Sequence, residues 1–214
     1  MKPWSILAVV LILASSLATN GAQPASLSLG QASLVAKQLP RQAISIDKAR
    51  RTLTLAGHLT SRRETNHCFL GFAGGTNGSR GGAGWFLIET EATPAEFHRA
   101  LVDIGKRPGD NLTEKNQTEC VKGDPLEVTL WWKGAPREYR LGEVVKASVP
   151  IQVRFGGNLS ASERYGTGCL LCLTGCYIAT TSNAALPLAD MGKASFSFTS
   201  LAPPEGTPVR LTFR

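Results

Sequence analysis

Apolar and polar positions alternate with a period of two over residues 52–59, Thr-Leu-Thr-Leu-Ala-Gly-His-Leu, which predicts a half-buried strand. A shorter apolar piece at 43–46 precedes it, and the polar run 47–51 turns the chain between them, so the two are expected to pair as a hairpin. Residues 85–88, 126–133, 137–145, 150–155, 195–199 and 209–213 read as further strands. Gly134-Ala135-Pro136 should join two of these as a second hairpin, Gly156-Gly157-Asn158 should end another, and Pro203-Pro204-Glu205-Gly206 should turn the chain before the last. The period becomes clearly helical at 93–105, where Phe97, Ala100, Leu101 and Ile104 recur at helical spacing. Thr93 is a natural N-cap, Pro94 suits the first helical position, and Glu96 completes a capping box. Gly105 ends the helix and Pro108-Gly109-Asp110 turns the chain after it. One main amphipathic helix among many strands predicts a β-rich single domain of the α+β class.

The first residues do not fit that pattern. Lys2 supplies a short positive region, and residues 5–17 form an apolar run too short to span a bilayer comfortably. Ser16-Leu17-Ala18 offers a small-x-small cleavage site, with Ala22 a second choice. Residues 1–22 are therefore expected to be a secretory signal peptide, 23–40 a linker rich in Ala, Ser and Gln, and 41–214 the domain. No later run is apolar enough to cross a membrane, so no transmembrane segment is expected once the leader is removed. Export to the periplasm or the extracellular space follows, and an oxidising compartment favours disulfides. The leader lacks the twin arginine of the route that carries folded, cofactor-loaded proteins, which weighs against a cluster inserted before export.

The formal net charge of +7 falls to +6 without Lys2. The basic residues are scattered, densest at Lys48-Ala49-Arg50-Arg51 and Arg62-Arg63, and the aromatics sit mostly inside strand patterns. A nucleic-acid surface interleaves the two, so no nucleic-acid partner is expected. Some affinity for anionic envelope polymers and a protein partner of unspecified identity are compatible with the charge.

Catalytic patterns are thin. Residues 71–84 hold seven glycines but no lysine, so they are not a phosphate-binding loop of the G-x-x-x-x-G-K-S/T kind. Asn77-Gly78-Ser79-Arg80-Gly81 resembles a nucleophile elbow with Asn77 in place of its first glycine, and a flexible loop is the better reading. The three histidines, His58, His67 and His98, form no H-E-x-x-H motif. His67 beside Cys68 is the most suggestive pair, since an imidazole can activate a thiol or join it on zinc. The preferred reading is nonetheless a loop histidine beside a bridged cysteine. Glu89 and Glu91 precede the helix and are expected to solvate its entry, and His98 is expected to be a packing or surface residue. Four N-x-S/T sequons, at Asn77, Asn111, Asn116 and Asn158, mark polar loops.

The strongest chemical signal is Thr-Gly-Cys-Leu-Leu-Cys-Leu-Thr-Gly-Cys, which packs Cys169, Cys172 and Cys176 into eight positions. A C-x2-C pair on a tight loop can turn two thiolates to one side, and Gly168 and Gly175 let the backbone wrap closely.

The chain also resembles a known family. Glu89 and the run from Thr93-Pro94-Ala95-Glu96-Phe97-His98 through Ala100-Leu101 and Gly105 to Pro108-Gly109 are similar to the E-x(n)-P-x-x-F/I/L-H-x-A-L-x-x-L/I-G-x-x-P-G core of the YdjY-like proteins. Pro203-Pro204-Glu205-Gly206-Thr207-Pro208-Val209 is similar to that family's closing strand. The resemblance covers residues 44–214 and implies an exported domain. Some members carry a C-terminal cysteine run and are labelled ferredoxin-like or iron–sulfur proteins.

The cysteines keep three readings open. The bacterial ferredoxin run is C-x2-C-x2-C-x3-C-P. Here C-x2-C-x3-C lacks one cysteine, and Tyr177 stands where the proline would be. A fourth ligand would come from Cys68, Cys120 or a distant histidine. On the first reading Cys169, Cys172 and Cys176, with Cys68 or Cys120, hold an iron–sulfur cluster or zinc in a non-catalytic ferredoxin-like accessory protein. On the second no metal is bound, the cysteines are disulfides of an envelope binding or structural module, and Cys68–Cys120 is a plausible bridge. A redox-active Cys169–Cys172 pair is a third use, although no thioredoxin-like pattern surrounds it.

Overall fold

β2 (Thr52–Leu59) carries the expected alternation into structure: Leu53, Leu55 and Leu59 are buried, while Ala56 and His58 are exposed on the other face. The computed structural model describes residues 42–75 and 85–214. The leader, the 23–40 lead-in and residues 76–84 of the Gly-rich run, with the Asn77 sequon, lie outside the described residues.

β1 (Ile44–Asp47) pairs antiparallel with β2, Asp47 opposite Thr52, so the expected hairpin forms. The other edge of β2 takes β13 (Pro208–Phe213), followed by β6 (Val128–Trp132) and the short β7 (Tyr139–Arg140), all antiparallel. Past β1, β2 pairs with β5 (Ile88–Thr90), which lies parallel to β4 (Cys68–Phe72). The sheet continues through antiparallel β10 (Cys169–Cys172), parallel β11 (Thr181–Asn183) and antiparallel β9 (Val153–Phe155), making ten strands in all. A three-stranded sheet holds β12 (Phe196–Phe198) between β3 (Glu64–Thr65) and β8 (Val145–Ala147). The described architecture is β-rich, with few and short helices.

The helical period at 93–105 falls on α1 (Pro94–Asp103). The capping box is made: Thr93 Oγ1 accepts from the Glu96 amide at 3.3 Å, and Glu96 Oε2 accepts from the Thr93 amide at 2.9 Å. Its apolar face buries Phe97, Ala100 and Leu101. The Phe97 ring meets Phe213 of β13 edge to face with centroids 4.9 Å apart, and burying such a side chain contributes roughly 1.5–3 kcal/mol.

One expected strand is not a single strand. Residues 137–145 divide into β7, a helical turn α2 (Leu141–Val144) and the start of β8. Glu143 causes the break: its carboxylate accepts from the Arg140 amide at 2.8 Å and pairs with Arg137 at 2.6 Å. Leu141 and Val144, three apart, both turn inward, so the local period is helical. A further short helix, α3 (Leu159–Tyr165), follows Asn158, whose φ of 48° puts a non-glycine residue in the left-handed region.

Candidate metal centre

β4 and β10 lie side by side inside the large sheet, each with strands on both edges. Cys68 opens β4, and Cys169 and Cys172 bound β10. The expected loop for the C-x2-C pair is therefore corrected: these residues form a fully buried strand. Residues three apart on a regular strand face opposite sides, which would separate the two thiols. The β4–β10 register shifts between Cys169 and Leu171 and again between Leu171 and Cys172. Those irregularities break the alternation, and Cys68, Cys169 and Cys172 come together with all three sulfurs within 4.8 Å of one another. Cys68 Sγ and Cys169 Sγ are 3.9 Å apart.

Beyond Cys172 the chain leaves the strand but stays anchored. The Leu173 amide donates to the His67 carbonyl at 2.7 Å, extending the ladder one step past the Cys68–Cys172 pair. Asn183 Nδ2 holds the Leu173 carbonyl at 3.0 Å, and Asn158 Nδ2 holds the Cys176 carbonyl at 3.1 Å. This loop returns Cys176 to the cluster and presents Thr174, whose Oγ1 lies 2.5 Å from His67 Nδ1. The other ring nitrogen, Nε2, faces Cys176 Sγ at 3.5 Å and Cys172 Sγ at 3.6 Å. His67, Cys172 and Cys176 form a second triad within the same 4.8 Å limit. Phe86 and Ala179 pack around the sulfurs with Trp85 and Ile178. Gly71 has no side chain because the Phe86 ring occupies that space: a Cβ there would lie 2.1 Å from Phe86 Cζ.

The five groups perturb one another. Hydrogen bonds from Cys169 and Cys172 hold the Cys68 thiol far below its ordinary value. A hydrogen bond from Cys172, with the nearby imidazole, lowers Cys176 to about 5 against the cost of burial. Burial pushes Cys172 well up, reinforced by its donation to neighbouring sulfurs. At Cys169 a bond to Cys172 pulls down, but donation to Cys68 and burial outweigh it, and the thiol is raised. Burial disfavours a charged His67, yet Cys176 and Cys68 overcome it and the imidazole is raised well above its usual value.

The remaining candidates stand apart from this cluster. Cys120 is exposed, in a surface hollow with Gln152 and Arg154, and belongs to neither triad. The expected Cys68–Cys120 bridge is therefore corrected: Cys68 is buried against Cys169, and the described cysteines are all free thiols. Glu89 is buried in β5 with His58 at 3.9 Å, and Glu91 is exposed. His98 lies on α1 with its ring 4.9 Å from Phe155, and burial lowers its basicity. A cleft of about 720 Å³ borders the cysteine loop through Tyr177 and Asn158 but contains no cysteine. His67 had a signal in the sequence, its adjacency to Cys68. Thr174 had none, because only the long-range return of the loop brings it to the imidazole.

The fold and the site define a class, a β-rich protein with a buried thiol and imidazole pocket in its central strands. By sequence the chain belongs to the YdjY family, whose domain model, the YdjY domain, matches residues 44–214. It is 33% identical over 183 residues to the "Uncharacterized protein YdjY" of Escherichia coli (strain K12), covering 81% of this chain and 79% of that protein. No solved structure matches the chain.

Proposed function

We propose that this YdjY-family chain is an exported metal-binding protein, a carrier or accessory protein rather than a catalyst, binding thiophilic metal in the pocket lined by His67, Cys68, Cys169, Cys172 and Cys176. The carrying observation is spacing. Two thiolates about 2.3 Å from one tetrahedral ion stand about 3.8 Å apart, and a thiolate and an imidazole nitrogen at about 2.0 Å stand about 3.5 Å apart. Three separations in the pocket match these values, 3.9 Å for Cys68–Cys169 and 3.5 and 3.6 Å for His67 to Cys176 and Cys172, and each triad lies wholly within 4.8 Å. A donor set of sulfur and imidazole, with no carboxylate in either triad, suits zinc, copper(I) or thiolate-bound iron.

The four-iron version of this reading has less support. A four-iron cubane puts each thiolate on a different iron, so its ligand sulfurs stand well beyond the separation of ligands sharing one ion. The disulfide version meets the same geometry from the other side. A sulfur–sulfur bond is about 2.05 Å long, whereas Cys68 Sγ and Cys169 Sγ stand 3.9 Å apart.

The test is anaerobic purification of the mature domain from the exported fraction, with metal analysis and thiol counting on one sample. Stoichiometric metal with the four buried thiols protected is expected. Metal-free protein with those cysteines crosslinked would overturn the proposal.

A further inference from the structure

We infer that the pocket holds two ions side by side, with the Cys172 thiolate bridging them; this rests on the metal-binding reading above. The pocket offers five donor atoms, yet they do not form one group. Cys68, Cys169 and Cys172 make one triad and His67, Cys172 and Cys176 the other, each with its ligand atoms within 4.8 Å of one another. A single tetrahedral centre needs four donors that are mutually close, at about 3.5–3.8 Å. Among the described residues no such foursome is present, and Cys172 is the one donor common to both triads.

The backbone makes the division. The first triad is fixed by strand pairing, since Cys68 and Cys172 are direct partners across β4 and β10 and the register shift brings Cys169 alongside. The second is fixed by the loop after β10, which Asn158 holds at the Cys176 carbonyl, and by the Thr174 contact that orients His67. Two separately supported triads meeting at one sulfur describe two three-coordinate positions. Thiolates are able to bridge, and a soft closed-shell ion such as copper(I) is the class that thiolate-rich ligation selects. The first triad's sulfurs are almost wholly buried (Cys68 7%, Cys169 1% and Cys172 0% exposed), which leaves little room for water as a fourth ligand there. His67 keeps partial exposure, so ions are expected to enter through the second triad. Binding is ligand exchange with no redox step: each copper(I) leaves its carrier, and protons leave the thiols that take it up.

The experiment is an anaerobic copper(I) titration of the full mature chain against a chromophoric copper(I) chelator, with X-ray absorption on the loaded protein. Two equivalents and a short copper–copper vector are expected. His67→Ala and Cys169→Ser, each disabling one triad, are each expected to lower the count to one with the near-ultraviolet circular dichroism unchanged. One equivalent in the unmodified protein, with all four buried thiols protected, would overturn the bridged pair and leave the metal-binding reading standing. No tight binding of copper(I), together with no metal after anaerobic purification, would overturn both. The unmodified protein decides the count, so a variant that failed to fold would not leave the inference undecided.

Discussion

Cys68 and Cys172 are direct cross-strand partners, one antiparallel pair between β4 and β10 in the interior of the large sheet. Their sulfurs are therefore placed by backbone pairing, not by a mobile loop. His67 and Thr174 extend this relationship, since each lies next to or just beyond a member of that pair and their side chains meet. A ligand imidazole held at its second nitrogen keeps its tautomer and ring orientation, and loss of such a partner typically costs about 10–100-fold in metal affinity.

Thr174→Val keeps the size of the side chain and removes the hydroxyl. The expected result is about 10–100-fold weaker metal binding with the circular dichroism spectrum unchanged. Competition titration against a chelator of known affinity reads it, and Thr174→Ser should restore most of the loss.

Gly71→Ala asks whether the packing around the sulfurs is as tight as the geometry says. The added methyl would sit 2.1 Å from Phe86 Cζ, so the ring must leave its place in the cluster it shares with the cysteines. Overpacking of this kind costs about 1–3 kcal/mol. Urea unfolding of metal-free protein should show the lower midpoint, with the slope unchanged.

Asn158 separates backbone strain from side-chain anchoring. Its φ of 48° favours glycine, while its amide holds the Cys176 carbonyl at 3.1 Å and the Ala179 carbonyl at 3.3 Å. Asn158→Gly relieves the first and loses the second. If anchoring dominates, the variant loses about 1–3 kcal/mol and binds metal more weakly. A variant as stable and as tight as the parent would show that the loop holds itself.

The helix cap gives the pH dependence. The Thr93 amide, then its hydroxyl, hold the Glu96 carboxyl below its ordinary value. A folded-state pKa below the unfolded one means stability fully present above the unfolded value and lost as pH falls through the folded value. Acid unfolding of the parent should carry this contribution below about pH 4.3, and Glu96→Gln should flatten it. Thr93→Ala removes the cap itself and should cost about 0.5–2 kcal/mol near neutral pH.

How much of this was readable beforehand depended on the range of the forces involved. α1 and the β1–β2 hairpin rest on residues a few positions apart, Thr93 with Glu96 and Asp47 with Thr52, and both were legible. The 137–145 segment was misread because strand-like composition hid the local cap that Glu143 supplies. At the metal centre the three clustered cysteines were visible, but their conformation was not. C-x2-C suggested a loop, whereas the register shifts in β10 arise from pairing with a strand about a hundred residues earlier. The same pairing picks out Cys68 over Cys120, and no spacing within the sequence distinguishes those two.

That distinction has a direct test in thiol reactivity. Cys120 is exposed, while Cys68, Cys169, Cys172 and Cys176 are buried. A brief maleimide pulse on the folded, metal-loaded protein should add one label, and peptide mapping should place it on Cys120. Unfolding with a chelator present should open all five cysteines to labelling. Cys120→Ser should leave metal content and affinity unchanged, whereas Cys68→Ser should weaken binding by at least the tenfold expected when a supporting group is lost, because it removes a donor outright. If Cys120→Ser stripped the metal instead, the loop carrying it would have to fold over the cluster, and the strand-built pocket would not be the binding site.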